Sequence, residues 1–209
     1  LNASGRFTVA LATQVATRFE LLEQSGPDAS GFYAAVFRER STGQLYMAFR
    51  GTDGPASIND LVADALLLTT GVAKTQSNEL REFISTVLLR QQQGTLAAGD
   101  FVLTGHSLGG HLVQLATYLA EQDAGLSPLK GGAYTFNSAG IGGILGLKGG
   151  SAYLRSPSNQ AVDNIIAKPG LELASTFLSG VRPGDDYDLF IENQSGTSST
   201  GATAGGDIS

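Results

Sequence analysis

Residues 101–110 read Phe101-Val102-Leu103-Thr104-Gly105-His106-Ser107-Leu108-Gly109-Gly110. An apolar run ends in Gly-x-Ser-x-Gly, and an amphipathic segment follows. The pattern predicts a buried strand over 100–105, a sharp turn at Ser107 and a helix over 109–122. Glycines two residues either side of the serine leave room for a strained turn that lifts the hydroxyl clear of a sheet. Such a serine can attack an acyl carbon if a base takes its proton and a third group orients that base. The bare string arises often by chance. The strand before it and the helix after it give it weight.

Working outward, apolar runs predict strands at 131–137 and 161–167. Leu80, Phe83, Ile84, Val87 and Leu88 predict an amphipathic helix over 76–93. Residues 31–39 and 44–49, separated by Ser41-Thr42-Gly43, predict two antiparallel strands and a short turn. Phe7, Leu11, Val15 and Phe19 recur at steps of four and predict a helix from Ser4 to Phe19. Gly26-Pro27-Asp28 breaks the chain, and Ser57 caps a helix expected over 57–68. Residues 138–160 are glycine-rich without a clear period. Alternating strands and helices imply an α/β fold, a mostly parallel sheet with helices on both faces. The expected organisation is one domain over 1–193. A flexible Gly/Ser/Thr-rich tail or loop is expected over 194–209.

Composition excludes several function classes. The formal charge is −6, and no basic stripe exists to neutralise phosphates, so nucleic acid is not an expected partner. The same balance weighs against strong attraction to anionic membranes. No apolar stretch approaches the roughly 20 residues that span a bilayer, so no stable membrane anchor is expected in this stretch. Cysteine is absent, which removes disulfides and thiolate metal sites. Two histidines five residues apart do not make a catalytic zinc site of the usual kind. No nucleotide-type glycine loop is present. No metal or other cofactor is expected. Composition leaves the compartment open, and a secreted bacterial protein is slightly favoured over a cytoplasmic one.

A second feature is Phe49-Arg50-Gly51-Thr52-Asp53, directly after an expected strand. Acyl transfer needs donors aimed at the oxyanion of the tetrahedral intermediate, and losing one costs about 2.7–4 kcal/mol in related chemistry. Thr52 offers a backbone N–H and a hydroxyl, and the N–H of Leu108 follows the serine. Alone, the stretch reads as an ordinary strand exit with Gly51 in a turn. Beside the serine turn, it reads as an oxyanion site.

With these residues in hand, the chain resembles the class 3 lipase family of α/β-hydrolases. The resemblance rests on Phe-Arg-Gly-Thr at 49–52, Asp60-Leu61-Val62-Ala63-Asp64, Thr-Gly-His-Ser-Leu-Gly-Gly at 104–110 and Tyr-Thr-Phe-Asn-Ser at 134–138. It covers roughly residues 30–190, in the expected order. Two positions depart: Leu61 stands where the family usually has tryptophan, and Asn137-Ser138-Ala139 where it often has Gly-Ser-Pro. The resemblance implies a carboxylic ester hydrolase acting on lipid or other acyl esters, with transient contact to a lipid interface. It implies Ser107 as nucleophile and Thr52 with Leu108 as oxyanion donors. It also implies a carboxylate after the strand that follows 134–137, then a histidine near the domain's end. By order Glu172 falls where the acid belongs, with Asp185 or Asp186 as the alternative. Asp163 precedes the apolar stretch Asn164–Ala167 of its expected strand and so sits at the wrong end. Asp60 and Asp64 share a helix face and read as a brace for the Thr52 loop, through Arg50. Residues 66–73 and 138–154 are candidate lids.

The base is missing from this picture. His106 precedes the nucleophile and should point away from it. His111, one helical turn on, should pack beneath the sheet. The expectation is that the chain stops short of its base and is incomplete at the C-terminal end. It should then hydrolyse esters poorly alone, since losing the base of a comparable triad costs about a million-fold. Two other readings stay open: a hydrolase-like module that binds acyl chains or a protein without catalysis, and a base supplied by a second polypeptide after nicking. Reading the gene past the codon for Ser209 tests the first. A histidine codon close behind is expected, and a stop codon there would sink it.

Overall fold

In the computed structural model, residues 8–26, 32–51, 72–138, 162–168 and 184–190 are described. Helix α1 spans Val9–Arg18, β1 Phe19–Gln24, β2 Ala34–Glu39, β3 Leu45–Phe49 and α2 Val72–Gln92. Strand β4 spans Phe101–His106 and α3 Leu108–Gln122, followed by a 3-10 stretch, Ala124–Lys130. Strands β5 Ala133–Phe136, β6 Val162–Lys168 and β7 Asp185–Phe190 complete the order.

The strands join in chain order into one seven-stranded sheet. β1, β2 and β3 pair antiparallel, and β3 through β7 pair parallel. Every strand from β3 to β7 therefore releases the chain at the same edge, where sheets of this kind bind ligands.

Side chains alternate across a sheet, so register fixes the core. Met47, Leu103, Ala133 and Val162 are level with one another and buried. Leu80, Ile84 and Val87 of α2 and Leu112, Val113 and Ala116 of α3 close over that face in a single cluster. Each such burial is worth about 1.5–3 kcal/mol for a side chain of valine size or larger. Across the sheet, Tyr134, Phe136, Tyr187 and Leu189 are exposed.

The hairpin of β2 and β3 and the buried stripe of α2 match the sequence reading. The first helix does not run to Phe19. It stops at Arg18, none of its side chains is buried, and Phe19 opens β1. Pairing with β2 overrides the helical spacing. Phe19 lies opposite Glu39 and meets Tyr46 edge-on at 5.7 Å. Residues 4–7, the helix expected over 57–68 and the tail at 194–209 lie outside the described residues. Asp185 and Asp186, expected in a turn, instead open β7.

Glu39 ties the first three elements together. It is buried, and accepts from Arg18 Nε at 2.6 Å and from the Thr42 hydroxyl at 2.7 Å. Its backbone closes the hairpin with Gln44 and with Gly43, whose φ of 77° suits glycine. The Thr42 hydroxyl, then Arg18, hold its carboxyl below the ordinary value of 4.5. A depressed carboxylate contributes stability above its unfolded pKa and loses it as pH falls through the native one. Glu39→Gln is expected to lower the Tm at pH 7. The difference from wild type should vanish as the pH drops below the ordinary 4.5 and through the depressed native value. Thermal melts across pH check this, and a constant difference down to the acid limit would refute it.

Candidate active site

Ser107 follows the last residue of β4 with φ 55° and ψ −121°. A non-glycine residue in such a region carries about 1–3 kcal/mol of strain, held only by its surroundings. Here the Ser107 N–H donates to the Phe136 carbonyl at 3.0 Å. The Ser107 carbonyl accepts from Gly110 N at 3.0 Å and His111 N at 3.3 Å. Ser107 occupies the N-cap position of α3, yet its hydroxyl makes no capping bond.

The neighbouring glycines are required by close approach. A β-carbon on Gly105 would lie 2.3 Å from the Gly109 carbonyl oxygen, and one on Gly109 would lie 2.2 Å from that of Phe49. Helix α3 thus starts against bare backbone of β4 and of the β3 exit. Leu108 is its first residue, and a first-turn N–H has no acceptor within its own helix. It also lies at the positive end of the helix dipole. Gly51 borders this N–H: a β-carbon there would be 3.6 Å from Leu108 N and 3.5 Å from Ser107 Cβ. Strand β3 therefore delivers the chain to the serine turn one residue before Thr52.

Thr52, Asp60, Asp64 and Glu172 lie outside the described residues, as do most of the candidate lids. His106 ends β4 and is exposed. His111 is half-buried in the first turn of α3. The Arg50 guanidinium stacks over the Tyr33 ring at 4.7 Å. Asp163 lies within β6 rather than before it. Through the strand register Asp185 is level with Asp163 and Thr104, and Asp186 with Asn164 and Gly105. Both therefore sit inside β7, below Ser107, and not on a loop leaving the sheet. Register puts Asp163, Asp185 and Tyr187 on one sheet face, and Asp163, then Asp185, raise the Tyr187 phenol above its ordinary value.

No protein-family model and no curated protein sequence matches the chain. Its structure is similar to solved lipases. The lipase from Rhizopus microsporus var. chinensis superposes with a TM-score of 0.56 and 16% identity over 83% of this chain and 61% of that one. Rhizomucor miehei triacylglyceride lipase gives 0.54 and 19%, over 85% and 69%. A triacylglycerol lipase whose catalytic centre is described as a serine protease triad gives 0.55 and 18%, over 84% and 68%. The chain has the α/β-hydrolase fold of these lipases. It spans about three-fifths of the length of the first.

Within this hydrolase fold, the carboxyl edge of the sheet carries a second kink. Asn137 follows β5 as Ser107 follows β4, and has φ 45°. Asparagine is among the few non-glycine residues that adopt this region readily. That accounts for Asn137 where the resembling family often has glycine. Strand β6 exits at Lys168 on the same edge, four residues before Glu172.

Sequence reasoning missed four polar residues beneath the serine turn: Gln114, Thr135, Ser138 and Asn164, all buried. The signal was present. Thr135 and Asn164 occupy core-facing positions of strands that are otherwise apolar on that side.

Overpacking a fitted site costs about 1–3 kcal/mol or more. Gly109→Ala, with backbone in the way, is expected to reach or exceed that range in denaturant unfolding. Gly26→Ala, with no atom of the described residues within 4 Å of an added β-carbon, should change stability little. Equal effects would contradict the close seating of α3.

Proposed function

We propose that the chain is a class 3 lipase-type serine hydrolase, with Ser107 as nucleophile, that cleaves lipid or other acyl esters. The supporting observation is Ser107 itself, strained at φ 55° between a parallel strand and a helix N-terminus. The likeness to solved lipases supports the same reading, since two of them are a triacylglyceride and a triacylglycerol lipase. In this reading Ser107 Oγ attacks the acyl carbon and forms the acyl-enzyme. The backbone N–H of Leu108 and the donors of Thr52 receive the negative charge of the tetrahedral intermediate. Glu172 orients the base. In this reading neither His106, which precedes the nucleophile, nor His111, four residues after it, serves as the base. No helix among the described residues is long and apolar enough to cross a membrane, and contact with lipid would be transient.

Fluorophosphonate labelling scored by intact mass tests this on the 209-residue chain and on the complete gene product. Attack by Ser107 Oγ on phosphorus would expel fluoride and leave a stable adduct. Adduct on the complete product, lost in Ser107→Ala, is the expected outcome, with much slower labelling of the shorter chain. Labelling of neither would favour an acyl- or protein-binding module.

A further inference from the structure

We infer that Gln114, Ser138, Thr135 and Asn164 act as positioning residues for the Ser107 site, an inference that rests on Ser107 being the nucleophile. All four are buried, at 0–1% exposure. Gln114 Nε2 donates to Ser138 Oγ at 2.9 Å. Ser138 Oγ and Thr135 Oγ1 are 3.1 Å apart, and Thr135 Oγ1 lies 2.7 Å from Asn164 Oδ1. Each hydroxyl has one proton. Asn164 Oδ1 can only accept, so Thr135 donates to it, and the Ser138 proton then turns to Thr135. The amide, two hydroxyls and carbonyl form one directed chain.

This chain joins the three pieces of backbone that meet at the nucleophile. Gln114 stands on α3, whose first residue supplies the Leu108 N–H. Thr135 and Ser138 flank Phe136, whose carbonyl holds the Ser107 N–H, and Asn137, whose N–H donates to the Ile165 carbonyl at 2.9 Å. Asn164 precedes Ile165 on β6. Gly110 lets the parts close, since a β-carbon there would lie 2.5 Å from Ser138 Cβ. Apolar side chains of equal volume would fill the same space, but without direction. Hydrogen bonds fix both distance and angle. An oxyanion donor needs that accuracy, because a misplacement of about 1 Å can cost on the order of a hundredfold in rate.

The test uses the complete gene product, with kcat and KM for a short acyl ester expressed per fluorophosphonate-titrated site. Thr135→Val removes the hydroxyl at nearly constant volume, and Thr135→Ser restores it. Thr135→Val is expected to lower kcat about tenfold, with KM within about twofold, a shift of about 1.4 kcal/mol in the barrier. Thr135→Ser should recover most of it. Ser138→Ala should repeat the loss, and it decides the matter if Thr135→Val does not fold. Unchanged kcat per titrated site would overturn the inference and leave Ser107 as nucleophile. Failure of the wild-type protein to titrate at all would overturn both.

Discussion

Backbone resting on backbone, with no side chain between, is the constraint on which the rest depends. Helix α3 begins where Gly105 and Gly109 let it touch β4 and the end of β3 directly. A helix standing off by even one methyl would carry its N-terminus away from the strand ends. Ser107 would then lose the geometry that sustains its positive φ. The strain at that residue is small beside the core beneath it, where α2, α3 and the parallel strands share one apolar cluster. The fold holds the turn in a conformation that an isolated peptide of the same sequence would avoid.

Much of this was legible in the sequence, and the reasons are local. The strand, serine turn and helix over 101–122 announce themselves through apolar run, glycine spacing and amphipathic stripe within a window of about twenty residues. The α2 stripe and the β2–β3 hairpin are equally self-contained. What escaped the sequence depends on distant partners. Phe19–Gln24 continues a helix-like spacing, and only the β2 ladder and the ring of Tyr46 make it a strand. Asp185–Phe190 looks like turn chemistry because Pro183 and Gly184 precede it, and only β6 draws it into the sheet. The serine turn, its Leu108 neighbour and the approach of Gly51 were readable as a candidate site, and the structure brings them together. The polar chain beneath them was not, because Gln114, Thr135 and Asn164 are far apart in sequence and become neighbours only in register.

Two kinds of buried polar group hold the two halves of the sheet. On the antiparallel side Glu39 is charged, paired and linked to solvent through a half-exposed arginine, so its contribution varies with pH. On the parallel side the Gln114–Asn164 chain is neutral and enclosed, and no group in it titrates in the physiological range.

Among the described residues β7 pairs with β6 alone, which makes it the last strand of the sheet as described. Such a margin invites a passing chain to add itself. Asp185, Asp186 and Asp188 set three negative charges along six residues of that margin. Any acidic strand that approached would meet repulsion, and a second copy of β7 would meet it along its whole length. The segment that was hardest to recognise as a strand carries the very charges that would oppose a like strand laid beside it.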